Sequence, residues 1–156
     1  MKNYILFPLL FFSFILSSQD LNKEYSYSEL LDLGYDFVYE KGDYQSANYY
    51  FTQAIKMNPD IPFAYYGRAI GYRLGLDFEA ENTDSVYNCL DLALIDQNKA
   101  LELSSKKDKE FKGSVYSEIG ILQLLKDEGD YCASFKKACK YKDVNGCNTY
   151  ESLCKE

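Results

Sequence analysis

The chain has 156 residues, 47% of them hydrophobic, which is enough for one domain with its own core. Its formal charge is −7 and its pI near 4.7, a balance that repels phosphate backbones and argues against a nucleic-acid partner. It has no histidine, so the usual general base near neutral pH and the commonest metal ligand are both missing.

Residues 1–18 form a separate object. Met1–Ser18 joins Lys2, a nearly unbroken apolar run from Ile5 to Leu16, and the small pair Ser17-Ser18. That is the make-up of a secretory signal peptide, with the mature chain starting near Gln19. A membrane anchor is the competing reading, but the run is shorter than the ~20 residues a spanning helix needs. No cysteine stands near the cleavage point for lipid attachment. A secreted or periplasmic location is therefore expected, with residues 19–156 as one helical domain and no transmembrane span once the signal is removed.

Leu30–Pro59 carries the most regular pattern. Leu30, Leu33, Phe37 and Val38 recur at helical spacing, then Gly42-Asp43 breaks the pattern, and Ala47, Tyr50, Phe51, Ala54 and Ile55 resume it until Pro59. Helices are expected near 27–41 and 44–57. The order Leu30-x2-Leu33-Gly34-x2-Phe37, then Ala47-x3-Phe51, Ala54 and Pro59, resembles the tetratricopeptide repeat, a helix–turn–helix unit of about 34 residues. Leucine stands where that family opens with tryptophan, phenylalanine replaces its tyrosine, and one extra residue precedes the turn.

A second unit follows Pro59-Asp60-Ile61-Pro62. Tyr65, Arg68, Ala69 and Tyr72 hold the patterned places of its first helix, and Ala93-x3-Gln97-x2-Ala100 those of its second, about 12 residues late. The intervening Leu76–Asn88 insertion is acidic. It would either lengthen the second helix or form an edge loop, and it reads as tolerated loop variation or as a dedicated contact surface. Ser104–Lys109 is a solvated connector. The third unit has Tyr116, Ile119, Gly120 and Gln123, then Phe135 and Ala138. Gly129-Asp130-Tyr131 echoes Gly42-Asp43-Tyr44, but its distance to the following alanine is shorter, so the echo reads as a decoy. The turn is expected near Lys126–Gly129, the second helix over Asp130–Tyr141, and a capping helix over Asn145–Lys155.

Cys132, Cys139, Cys147 and Cys154 are spaced 7, 8 and 7. Seven residues is just under two helical turns, so each pair shares a helix face. With a tight turn at Asp143-Val144-Asn145-Gly146, an antiparallel hairpin sets Cys139 opposite Cys147 and Cys132 opposite Cys154 at once. Cys132–Cys147 with Cys139–Cys154 would need a slipped hairpin. Zinc sites favour cysteines two to four residues apart, a spacing missing here, while free thiols remain an alternative. Residues 138–147 also resemble the cysteine-bridged relatives of the tetratricopeptide repeat in secreted bacterial proteins. Cys89 is left over, as a buried free thiol or a point for an intermolecular bridge.

Enzyme signatures are lacking, and no cofactor or metal is expected. Glu79, Glu81 and Asp84 in the insertion do not match a calcium-loop spacing. The resemblance implies an all-α, right-handed stack of antiparallel helix pairs, about three repeats plus a C-terminal capping helix. It also implies a concave groove lined by first helices, here by Leu31, Tyr35 and Val38, by Tyr66, Ile70 and Arg73, and by Ser117, Ile121 and Leu124. Arg68 is expected in an internal ion pair and Arg73 facing a ligand. The expected function is non-catalytic binding of a protein or peptide, with self-association a further option. A structural envelope protein that binds cell-wall material, or a carboxylate enzyme on a repeat scaffold, are the alternatives.

Overall fold

A computed structural model describes residues 24–76 and 83–155. The apolar segment read as a signal, and Glu79 and Glu81 of the insertion, lie outside the described residues. Helices account for all regular structure among the described residues: α1 (Tyr27–Asp36) running into a π-helical turn (Phe37–Lys41), α2 (Tyr44–Met57), α3 (Pro62–Leu74), α4 (Thr83–Leu103), α5 (Lys109–Lys126), α6 (Tyr131–Lys140) and α7 (Val144–Leu153).

Each boundary has a local cause. Ser26 caps α1 reciprocally: its hydroxyl accepts from the Glu29 amide, and its own amide donates to Glu29 Oε2 at 2.8 Å. The extra residue before the first turn is absorbed by the π-helical turn, which widens one turn of helix instead of breaking it. Gly42 then takes φ +66°, a left-handed conformation open to glycine at no steric cost. Asp43 caps α2 by accepting from the Ser46 amide at 3.0 Å. Pro62 opens α3, where its missing N–H removes no helical bond.

Two expectations about turns change. Gly129-Asp130-Tyr131 is no decoy: Gly129 is left-handed at φ +79°, Asp130 caps α6 through the Ala133 amide at 2.8 Å, and Tyr131 opens the helix, as Gly42, Asp43 and Tyr44 do. The spacing differs because α6, at 10 residues, is shorter than α2, at 14. The tight turn before α7 also moves. Lys142 supplies the left-handed residue at φ +67°, Asp143 caps α7 by accepting from the Gly146 amide at 2.7 Å, and Val144–Gly146 already belong to the helix. Gly146 serves close packing, since a Cβ there would stand 2.4 Å from Ala138 Cβ. The insertion lengthens a helix, for α4 begins at Thr83 and runs 21 residues, while residues 77–82 lie outside the described ones.

Successive helices pack in sequence order, and α1, α3, α5 and α7 also touch their neighbours within that set, whereas α2, α4 and α6 do not touch one another. The odd-numbered helices thus form one continuous layer and the even-numbered helices a second, spaced one. Phe51 of α2 is fully buried, with Gly34 and Gly67 so close that a Cβ on either would stand 2.5 Å from its ring. Phe135 of α6 packs on Gly120 of α5 in the same manner. Gln97 holds the matching place in α4. It is 0% exposed, and neither of its amide atoms has a hydrogen-bond partner among the described residues.

The expected internal role of Arg68 is seen directly. Its Nε and Nη2 donate to the two Asp96 carboxylate oxygens at 2.7 and 2.8 Å, and Nη1 donates to Thr52 Oγ1 at 3.1 Å, tying α2, α3 and α4 together. Cys132 is joined to Cys154, and Cys139 to Cys147, with Cα–Cα distances of 5.6 and 4.3 Å. These are the pairs of the unslipped antiparallel register, and they fasten α7 along α6. Cys89 is a half-buried free thiol.

Candidate functional site

The nine residues expected to line a groove divide by depth. Val38, Ile70 and Ser117 are buried. Val38 and Ile70 belong to the core around Phe51, and Ser117 lies beneath α7, where Gly146 approaches it. These three support the odd-helix layer from within, because a helix face that contacts both its partner and its neighbour has few positions left for solvent. Leu31, Tyr35, Tyr66 and Ile121 are half-buried, Arg73 is mostly covered, and Leu124 is exposed.

Tyr35 and Tyr66 are brought together over the Val38–Ile70 core. Tyr35 packs edge-on against Phe51 at 5.0 Å, and its hydroxyl donates to the Phe63 carbonyl at 3.4 Å. Tyr39, one helical repeat on, stacks on Tyr35 with centroids 6.2 Å apart and stays 63% exposed. Phe63, 41% exposed, and Tyr66 both pack edge-on against Phe111 of α5, at 5.0 and 5.4 Å. Aromatic side chains from α1, the π-helical turn, α3 and α5 therefore make one face.

Arg73 is not a free cation on that face. Its Nε donates to Glu118 Oε2 at 2.7 Å and its Nη2 to Glu118 Oε1 at 3.2 Å, a two-pronged pair from α3 to α5. The pair is about four-fifths covered on the Arg73 side and more on the Glu118 side. It braces the layer, and it sets a charge beside the tyrosines. Burial pushes the Tyr66 hydroxyl well above its ordinary value near 10, and the negative Glu118 carboxylate adds to the rise. Burial raises Tyr35 similarly, with Tyr39 adding to it. Tyr39 is also raised, by burial and then by Glu118, against an opposing pull from Arg73. Tyr35 and Tyr66 remain neutral donors far into the alkaline range.

Sequence reasoning missed Tyr39, Phe63, Phe111 and Glu118. The i,i+4 relation of Tyr35 and Tyr39 was a legible signal, masked by the change of helical period across the π-helical turn. The Arg73–Glu118 pair spans 45 residues and leaves no local trace.

Two cavities lie away from this face. One of about 280 Å³ is lined by Tyr25, Glu29, Asp32, Leu33 and Asp36. The other, of about 350 Å³, lies among α2, α3 and α4 beside Asn48, Tyr72 and Cys89. No group of three or more acidic or cysteine side chains is placed to hold a metal among the described residues. No helix among them is long and apolar enough to cross a membrane. No protein-family model and no curated protein matches the chain.

Proposed function

We infer that the protein is a non-catalytic binding module, exported to the periplasm or beyond the cell, that takes a protein or peptide segment on the odd-helix face. On this reading its helix pairs are tetratricopeptide-like repeats in a right-handed stack, with α7 as the cap. The observation that carries the reading is the aromatic face itself. Tyr39 and Phe63 are exposed on a layer fixed by the Phe51 core and the Arg73–Glu118 pair. Rigid rings with neutral hydroxyls supply contact area at low entropic cost, which suits a peptide whose main chain needs donors. Two disulfides agree with an oxidising compartment.

Peptides selected from a random display library on the immobilised, oxidised protein provide the test. Tyr39→Ala, whose side chain is mostly in solvent, should weaken retention of the selected peptides at least about tenfold, the loss of one aromatic anchor. The melting temperature should stay within a few degrees. Selected peptides that bind the variant as tightly as the parent would place binding elsewhere.

A further inference from the structure

Among the described residues, α1 packs on its π-helical turn, α2 and α3, and α7 on α5 and α6, so each keeps a side on which no described helix lies. The two ends differ in charge. Residues 24–41 contain five acidic side chains and one lysine, Lys41, which pairs with Asp36; Asp32 and Asp36 border the 280 Å³ cavity with Leu33 between them. Residues 131–142 contain four lysines, Lys136, Lys137, Lys140 and Lys142, and no acidic residue. All four are exposed, and among the described residues none joins an ion pair. Lys137 instead lies over the Tyr116 ring, 5.2 Å from its centroid. Lys136 and Lys140 continue the i,i+4 row that begins at Cys132, which is bridged to α7, so they stand along the edge beside that helix. Val144, 69% exposed, and Leu153, 55% exposed, add apolar surface on α7 itself.

We propose that this lysine-edged α7 end docks the acidic α1 end of a second copy of the chain, joining copies head to tail. The contact is heterologous, so each added copy leaves one fresh end of either kind and assembly stays open. Charge complementarity selects this occupant. The α1 end supplies an excess of carboxylates to meet the four lysines, and because each copy carries a net charge of −7, association depends on these two local patches. Attraction between such exposed charges is screened steeply, since the Debye length falls from about 30 Å at 0.01 M salt to about 3 Å at 1 M.

Sedimentation velocity on the full chain, with both disulfides intact, tests this. The parent should associate with rising concentration at low salt and run as a monomer near 1 M. Lys136→Glu with Lys140→Glu should weaken association at least about tenfold, and Asp32→Lys with Asp36→Lys should do the same, because like charges then face each other. Mixing the two variants should restore association, each supplying the end that the other lacks. A monomeric parent at low salt, or a mixture that stays monomeric, overturns the proposal. So does flotation of a monomeric parent with phosphatidylglycerol vesicles that the lysine reversals abolish, which would give the face to a membrane. Should the lysine variant misfold by circular dichroism, Lys136→Gln with Lys140→Gln carries the same expectation.

Discussion

Gln97 occupies a place that the repeat pattern gives to phenylalanine in the flanking units, Phe51 and Phe135. A buried amide with both ends unpaired costs roughly 1–3 kcal/mol relative to an apolar side chain of like shape. Gln97→Met, of similar length and flexibility, should therefore raise the urea midpoint by the equivalent of about 1–2 kcal/mol at unchanged slope. A fall in the midpoint would mean that the amide is held by a buried water. The contrasting residue is Asp96, one position earlier. It is also buried, but both its oxygens accept from Arg68. Neighbouring polar groups in one helix thus have opposite standing: one is integrated across three helices, the other is tolerated.

At the scale of helices, α7 depends on its two bridges. It is 10 residues long, below the length at which an isolated helix is stable, and only Gly146 in it is buried. The bridges close spans of 22 and 8 residues, for which chain entropy gives about 3 and about 2.5 kcal/mol. Reduction should raise amide hydrogen exchange across Val144–Leu153 by at least about tenfold while leaving α2 and α3 protected. Equal loss of protection in all helices would show that α7 is no separate unit.

Ser26, Asp43, Asp108, Asp130 and Asp143 each cap the helix that follows, and a cap is a contact over three residues, so these starts leave a local trace in the sequence, one that the shortness of α6 hides at Asp130 and that the glycine of α7 hides at Asp143. The cysteine register was legible for the same reason, being a consequence of helical pitch. Gly146 was misplaced because glycine serves both turns and close approaches, and only the position of Ala138 across the hairpin distinguishes them. Arg73 was read as ligand-facing because Glu118, its partner, comes from a different helix pair. Burial of Val38, Ile70 and Ser117 was equally hidden, since it depends on how neighbouring units and α7 stack.

For the molecule as a whole, tyrosine is the main titrating group of the odd-helix face. Tyr35 and Tyr66 hold their protons more tightly in the folded chain than the ordinary value near 10 allows in the unfolded one. Their contribution to stability is complete below about pH 10 and is lost as pH rises through and beyond it. Melting temperature should accordingly fall from pH 9 to 11.5, and the tyrosinate absorbance near 295 nm should rise in two stages, exposed rings first and the rest with unfolding. A single stage completed before unfolding would contradict the burial of these hydroxyls. The outer bridge, Cys132–Cys154, has a mechanical consequence as well. Under tension applied to the chain termini, load passes through sulfur and bypasses the 22-residue span between the two cysteines. At about 3.4 Å per residue this withholds about 75 Å of contour length from any extension. The inner bridge, Cys139–Cys147, lies wholly inside that shielded loop and carries no force until the outer one is cut.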